Sequence, residues 1–226
     1  CLGLYAREDY DVNEDDFDYA IFPNNNKPGT DTIIDEYKRL LLRQNGNDWG
    51  SNTNTMCRDA LAQSLLDHCN VKYQAYQPAM VYLNGEFWGL SNLREMNDEE
   101  DISRNYNIEE DSLVIMEDNL DKTAETPFLL MKGNPGDDQS FFNMRNFVWF
   151  CDKSTDAALD SINRMMDVDN FTDYWIGTIY LGKTTSAHNQ MYWRIRTPEG
   201  LNASQLGHDG RWRWTAFDFD NAMFWD

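Results

Sequence analysis

Basic residues are scarce in this sequence, and their scarcity excludes one class of partner. The 226 residues include 19 Lys and Arg against 39 Asp and Glu, a formal net charge of −20. A surface of this sign repels phosphate backbones and anionic lipids, so nucleic acid is not expected as a partner. The acidic surface either keeps the chain soluble or attracts basic protein substrates and divalent cations, and composition leaves both open.

Patterns typical of zinc sites, membrane spans and several enzyme classes are also missing. Four cysteines without CxxC spacing and three scattered histidines do not form a structural zinc motif. No apolar run approaches the roughly 20 residues that span a bilayer, and no signal peptide is visible. GxSxG, HExxH, GxxxxGKS/T and GxGxxG are absent as well.

Apolar and aromatic residues, in contrast, are plentiful. Hydrophobic residues make up 41% and aromatics 14%, with eight tryptophans, which is ample for a packed core. The length suits one large domain or two small lobes sharing a cleft, because domains run to roughly 100–200 residues. The chain opens on a strand-like run at 2–5 and closes just after an aromatic, acidic segment, so we expect both ends to be truncated.

Local patterns in the first half predict strands around one helix. Apolar positions recur every three to four residues over 56–69, which indicates an amphipathic helix. The dipeptide Asn84-Gly85 between apolar runs 79–83 and 87–90 predicts a hairpin with a type I′ turn. A short strand is predicted at 40–42. Asp11, Asn13 and Asp15 alternate like calcium ligands, but without the Gly and Glu of an EF-hand loop a solvated loop is favoured.

The second half is mainly helical and ends in two strands. Helices are predicted at 97–105, 141–151, 155–166 and 170–182, the last buried on most sides, and strands at 113–116, 191–195 and 212–217. Residues 118–140 are expected to form an exposed, variable insertion. The order predicts an α+β, two-lobed arrangement.

The residues that can carry chemistry are acidic. Asp218 and Asp220 follow the strand at 212–217 and would share a face if that strand continued. Asn189 precedes the strand at 191–195, and pairing of the two strands would put it near Asp220 or beyond. Mg²⁺ binds through one or two carboxylates plus substrate phosphates, and an amide oxygen can join them. The alternative is a solvated turn, since Asp and Asn are common turn residues.

Four blocks of sequence together resemble a known family. They are 58–61 (RDAL), 81–95 (VYLNGEFWGLSNLRE), 170–174 (NFTDY) and 212–220 (WRWTAFDFD). Their order and spacing are similar to those of the spore-coat protein H (CotH) kinase family, over about residues 4–224. The block NGEFWGL followed by NLRE is the most distinctive.

The resemblance implies an atypical protein-kinase-like fold that transfers phosphate from ATP, with Mg²⁺, to Ser or Thr of secreted or cell-surface proteins. It implies a small lobe over 1–96 and a large lobe over 97–226, with helix 56–69 in place of the kinase regulatory helix. Asp218 and Asn189 correspond to metal ligands, with Asp220 assisting. Residues 93–98 correspond to the hinge that holds adenine, which includes Leu93 and Glu95.

The chain departs from the family pattern in two places. Family members commonly carry an Asp about five residues before the metal-binding Asn, and here that position is Thr184, followed by Thr185. The family's basic, lysine-bearing segment upstream of the first strand is also absent from the sequence. Arg43 and Arg58 are the remaining cations that could reach phosphate, although surface or capping roles are favoured for each.

Three functional hypotheses follow from these residues. The first is a protein Ser/Thr kinase that uses ATP and Mg²⁺. The second is a pseudokinase or surface-interaction module, because Thr184 cannot accept a proton as a carboxylate can. The third, ranked last, is a glycoside hydrolase that uses two carboxyl groups such as Glu95 and Asp218. The sequence does not specify an oligomeric state.

Overall fold

The computed structural model describes residues 1–10, 15–44, 46–50, 55–121, 123, 126–185, 189–198 and 204–223. Within these ranges the strands form two four-stranded antiparallel sheets and one short ribbon, accompanied by five α-helices. The predicted α+β class is confirmed. Two residues of the calcium-like alternation, Asp11 and Asn13, lie outside the described residues.

The first sheet is built from the N-terminal part of the chain. Its elements are β1 (Leu2–Tyr5), the ribbon strands β2 (Phe17–Asp18) and β3 (Glu36–Tyr37), then β4 (Arg39–Arg43), α1 (Arg58–Ser64), β5 (Tyr76–Leu83) and β6 (Glu86–Glu95). The strand order is β1-β4-β6-β5, so β4 and β6 are central. Phe22, Ile34, Tyr37, Leu40 and Ala75 form a buried cluster in this part of the chain.

The predicted hairpin joins β5 and β6. Asn84 and Gly85 have φ of 51° and 85°, as a type I′ turn requires at both central positions, and Leu83 pairs with Glu86. The hairpin prediction is confirmed, because this turn is encoded by two adjacent residues. The predicted helix over 56–69 is shorter than expected and ends at Ser64.

The second sheet and the remaining helices follow. The elements are α2 (Glu99–Tyr106), β7 (Leu113–Asp118), β8 (Phe128–Lys132), α3 (Gln139–Phe150), α4 (Asp156–Met165), α5 (Val168–Tyr180), β9 (Met191–Ile195) and β10 (Arg213–Thr215). The strand order is β10-β9-β7-β8. β9 is buried along its whole length, and its neighbours pack with the helices into the main apolar core around Trp212 and Tyr174.

Two predictions for this half are wrong. Residues 118–140 are not simply an exposed insertion, because 128–132 pair with β7 as an edge strand whose alternate side chains Leu129 and Met131 face outward. The helix at 170–182 is not buried on most sides, since Ile176, Ile179 and Tyr180 are exposed. In both cases apolar side chains remain on an outer face, and an apolar pattern alone cannot identify such a face.

Hydrogen bonds of the Asn170 side chain hold the segment after α1 against the second sheet. Its side chain donates to the carbonyl oxygens of Asn70 (2.6 Å) and Trp214 (3.1 Å) and accepts the amide of Trp214 (2.6 Å). The carbonyl of Lys72 then accepts the amide of Ala216 at 2.7 Å. These bonds fix the chain between α1 and β5 against β10, the strand that leads to Asp218.

Other properties of the chain bear on the sequence expectations. All four cysteines are free thiols. None of the helices within the described ranges is both long and apolar enough to cross a bilayer.

Candidate active site

The pairing of β9 with β10 brings Asn189 and Asp218 together. Thr215 pairs with Met191, so the residues that precede β9 run beside those that follow β10. Both Asn189 (φ 67°) and Asp218 (φ 51°) adopt left-handed backbone conformations, and the Asn189 amide nitrogen donates to Oδ2 of Asp218. Asn189 therefore contacts Asp218, two residues before the Asp220 near which the strand pairing was expected to place it.

Asp220 is almost fully buried and only partly hydrogen-bonded. Its Oδ2 accepts the amide of Asn47 at 2.9 Å, while its Oδ1 has no hydrogen-bond partner among the described residues. Burial raises the pKa of Asp220, the Asn47 amide opposes this rise, and the neighbouring Asp218 adds to it. β10 ends at Thr215, so a turn and not strand alternation places Asp218 and Asp220.

The loop after β4 closes over Asp220 because it contains a glycine. Gly46 has φ +56°, and a Cβ built at this position would lie 1.9 Å from Oδ2 of Asp220. No other residue fits this approach without displacing the carboxylate.

Arg43, the last residue of β4, lies among three carboxylates. Its Nη2 is 2.5 Å from Oδ1 of Asp218 and 3.6 Å from Oδ2 of Asp220, and its Nε is 3.7 Å from Oδ2 of Asp59. Burial opposes its charge, but these carboxylates raise its pKa above the ordinary arginine value. We call Asp59, Asp218 and Asp220 the acid cluster. The surface role favoured for Arg43 is wrong.

Asp59 is a member of this cluster that sequence reasoning did not select. It lies in the first turn of α1, where it forms an ion pair with Arg94, and its Oδ1 accepts the amide of Phe219 at 2.6 Å. Burial opposes its charge, but Arg94 and Arg43 lower its pKa overall. The available signal was an Asp followed four residues later by Gln63, both on the buried face of a short helix.

Arg58 is also buried, so the surface role favoured for it is wrong. Asp48 accepts the Arg58 backbone amide at 3.0 Å, and the guanidinium lies 3.6 Å from the same carboxylate. Its Nη1 donates to the carbonyl oxygen of Asp220 at 3.5 Å. Arg58 therefore lies at the edge of the acid cluster.

Leu93 and Glu95 lie within β6, not in a connecting segment. Leu93 pairs with strands on both sides. The Glu95 carboxylate is fully buried and accepts hydrogen bonds from Ala75, Asn25 and Arg104 at 3.0–3.1 Å. Burial opposes its charge, but Lys72 and Arg104 lower its pKa.

Glu95 is consequently not open to a bound substrate. A glycoside hydrolase pair of Glu95 and Asp218 is not assembled here. The connection at 96–98, between β6 and α2, is the part of the predicted hinge that lies outside the strand.

Lys183 and Thr184 lie in the chain between α5 and the turn that contains Asn189. Thr184 is exposed, and its hydroxyl donates to the carbonyl of Asn221 at 3.3 Å. The preceding Lys183 is buried, and burial lowers its pKa to about 8 even though Asp218 favours its charge. Nothing in the local sequence pattern distinguishes Lys183 from a surface lysine, so the sequence does not point to it.

The acid cluster combines a half-buried Asp218 with the buried Asp59 and Asp220. A cavity of about 620 Å³ lies between residues 24–30 and 67–73, and its lining contains no residue of the cluster. Within the described ranges, no three His, Cys, Asp or Glu side chains form a preformed metal cage.

The family model described as CotH kinase protein matches residues 6–225. The chain belongs to the CotH kinase family. No curated protein sequence matches it. The match includes all four sequence blocks and the acid cluster, so the resemblance predicted from the sequence is confirmed, and the family gives the fold a kinase-like character.

Proposed function

We propose that this CotH-family chain is a protein Ser/Thr kinase that uses ATP and Mg²⁺, with Asp218 and Asn189 as metal ligands. One observation carries the proposal. The Asn189 and Asp218 side chains are in contact beside Asp220, whose buried Oδ1 has no hydrogen-bond partner among the described residues. Buried carboxylate oxygens are normally satisfied, so a cation is the simplest complement to this atom.

The donor set suits Mg²⁺. This ion binds carboxylate and amide oxygens, keeps several waters and takes the rest of its ligands from phosphates. Asp218 and Asp220 supply carboxylate oxygens, and a flip of the Asn189 amide would present Oδ1 in place of its nitrogen. When bound, Mg²⁺ would offset negative charge on the phosphate oxygens.

The surrounding residues suit a nucleotide. Arg43 and Arg58 are held at the acid cluster by carboxylates and by the Asp220 carbonyl, where either guanidinium could turn toward a phosphate. The connection at 96–98 has backbone groups beyond the sheet that could meet an adenine ring. In this proposal residues 1–96 form the small lobe and 97–226 the large lobe.

The reaction is transfer of the terminal phosphoryl group of ATP to a Ser or Thr hydroxyl. A bond forms between the hydroxyl oxygen and phosphorus while the bond from phosphorus to the ADP oxygen breaks, ADP leaves with that electron pair, and the hydroxyl proton passes to water or to an oxygen of the transferred phosphoryl group. A threonine at 184 cannot take that proton. Positioning and electrostatics supply most of the catalysis of phosphoryl transfer, so slow turnover remains compatible with this site.

The net charge of −20 favours basic segments as substrates, and the family resemblance implies that these belong to secreted or cell-surface proteins.

A pseudokinase is the second candidate, and the exposed Thr184 hydroxyl favours it. Such a protein would bind nucleotide and metal through the same residues without transferring phosphate.

Two measurements separate these candidates. Calorimetry with ADP in the presence and absence of Mg²⁺ tests the site, and incubation with ATP labelled in the terminal phosphate plus a basic, Ser-rich protein tests transfer. The kinase proposal expects both binding and labelling, whereas binding without labelling would identify a pseudokinase. Asp218→Asn should weaken Mg²⁺-dependent ADP binding by about tenfold or more, equivalent to about 1.4 kcal/mol.

Asp111→Asn is the matched control. It makes the same chemical change at a fully exposed carboxylate, 3.8 Å from Lys132 and outside the acid cluster. No Mg²⁺-dependent ADP binding by the unaltered protein, or equal loss in both variants, would overturn the proposed site.

A further inference from the structure

Lys183 is a buried lysine immediately after α5. Only 3% of its surface is exposed. Gly182 ends the helix in a left-handed conformation with φ 62°, and the Lys183 amide donates to the carbonyl of Thr178 at 3.0 Å. The helix end therefore fixes where the lysine side chain begins.

The ammonium group connects two turns that are distant in sequence. Its Nζ donates to the carbonyl oxygens of Asn189 at 3.0 Å and Phe217 at 2.7 Å, and lies 4.8 Å from the centre of the Phe219 ring. Among the described residues it has no carboxylate within ion-pair distance. Burial of an ammonium group costs free energy unless the group is hydrogen-bonded. The hydrogen bonds to these two carbonyls are the main interactions that offset this cost.

The two carbonyls control the directions of the proposed metal ligands. The Phe217 carbonyl belongs to the peptide plane that leads into Asp218, and the Asn189 carbonyl belongs to the plane that leaves Asn189. Both residues have positive φ, a strained conformation for a residue other than glycine that persists only where the surrounding structure holds it. A cation that binds both carbonyls holds both turns at once.

We propose that Lys183 is a positioning residue for the Asn189–Asp218 pair, acting through the backbone of both turns. This proposal rests on the metal site described under Proposed function. Lys183 is given no role as a ligand, because its Nζ donates to the two backbone carbonyls. Its effect resembles that of groups that orient metal ligands from behind, whose loss typically weakens metal binding by about 10- to 100-fold.

The test measures metal-dependent and metal-independent binding in the same variants. Mn²⁺ is the probe, followed by electron paramagnetic resonance in the presence of ADP, and adenosine binding is measured without metal. Lys183→Met should weaken Mn²⁺ binding by about tenfold or more and leave adenosine affinity within about twofold, a difference of about 0.4 kcal/mol. A residue that only supports the fold would lower both affinities together.

Two further variants make the result specific. Lys183→Arg keeps donors and charge and should recover much of the lost Mn²⁺ affinity. Lys72→Met removes another buried lysine, which pairs with Asp101 at 2.5 Å outside the acid cluster. It should lower stability without changing Mn²⁺ affinity. If Lys183→Met does not fold, Lys183→Gln replaces it with the same expected direction.

The outcomes separate this proposal from the one on which it rests. If the unaltered protein binds no Mn²⁺, the proposed metal site falls, and the role of Lys183 falls with it. If the unaltered protein binds Mn²⁺ and the Met or Gln variant binds it equally well, the role of Lys183 alone is overturned. Parallel loss of Mn²⁺ and adenosine affinity also overturns it.

Discussion

Oδ1 of Asp59 accepts a hydrogen bond from the backbone amide of Phe219 at 2.6 Å, which links α1 to the segment between Asp218 and Asp220. The same carboxylate forms an ion pair with Arg94. A movement of α1 would therefore move the backbone that carries both acids. The contact explains how α1, which lies between β4 and β5 in the chain, helps to shape a site at the end of the second sheet.

Removal of the Asp59 carboxylate should be strongly destabilising. Asp59→Ala leaves Arg94 buried without its partner, and loss of one member of a buried pair costs about 3–5 kcal/mol. Urea unfolding followed by circular dichroism measures the change. The double variant with Arg94→Met should lose less than the sum of the two single variants, by about 1–3 kcal/mol. Strict additivity would show that the pair does not contribute as described.

Replacement of Gly46 should impair the proposed metal site because of its contact with Asp220, and not only because of its positive φ. Gly46→Ala should weaken Mg²⁺-dependent ADP binding, since the new Cβ displaces the Asp220 carboxylate. Gly29→Ala is the control: Gly29 also has positive φ (+73°), but a Cβ added there would meet no described atom within 4 Å. Both variants bear a backbone cost of about 1–2 kcal/mol. Equal ADP affinities in the two variants would contradict the prediction.

Arg43→Met should strengthen the binding of Mn²⁺ in the absence of nucleotide. The guanidinium now lies among the carboxylates that would bind the ion, and removal of a like charge at this range should raise affinity by about tenfold. Calorimetric titration with Mn²⁺ measures it. Arg39→Met provides the comparison, because Arg39 is on the same strand and pairs with Asp98, outside the acid cluster. Unchanged or weaker Mn²⁺ binding by Arg43→Met would refute the role given to Arg43.

An aspartate at position 184 should restore the missing proton acceptor. Thr184→Asp should raise the rate of phosphate transfer by about 100-fold, the lower end of what general base catalysis contributes. Terminal-phosphate labelling of a protein substrate provides the measurement. Thr185→Asp is the paired test: a gain there and none at 184 would mean that the alignment is displaced by one residue.

The protein should lose in acid the stabilisation that comes from the contact of Asp209 with Arg213 in β10, the strand that leads to Asp218. Burial opposes the charge of Asp209, but two hydrogen bonds from Arg213, each 2.8 Å, help to lower its pKa from 3.8 to about 2. The folded pKa is below the unfolded one, so this stabilisation is present above pH 3.8 and is lost as pH falls toward 2. It is on the order of 2 kcal/mol. Asp209→Asn should remove the corresponding slope from unfolding free energies measured between pH 5 and 2.

Features encoded locally were predictable from the sequence. Asn84 and Gly85 fix the hairpin because a type I′ turn needs φ > 0 at two adjacent positions, and periodicity located the helices. The closeness of Asn189 to the acids after β10 was also predictable in outline. Only 29 residues separate Asn189 from Asp218, and the pairing of two adjacent strands aligns them. The family followed from four ordered blocks.

The rest of the site was decided by tertiary structure. Arg43 and Asp218 are 175 residues apart, and Asp59 and Phe219 are 160 apart. No local pattern indicates which of the many acidic and basic residues will contact each other over such separations. Those contacts depend on how the two sheets are placed against each other, which involves the segment held by Asn170. The sequence alone determined the family, the α+β class and two of the three acids, Asp218 and Asp220. Only the packing decided that Glu95 is enclosed, that Arg43 lies among the acids and that Lys183 is buried beneath them.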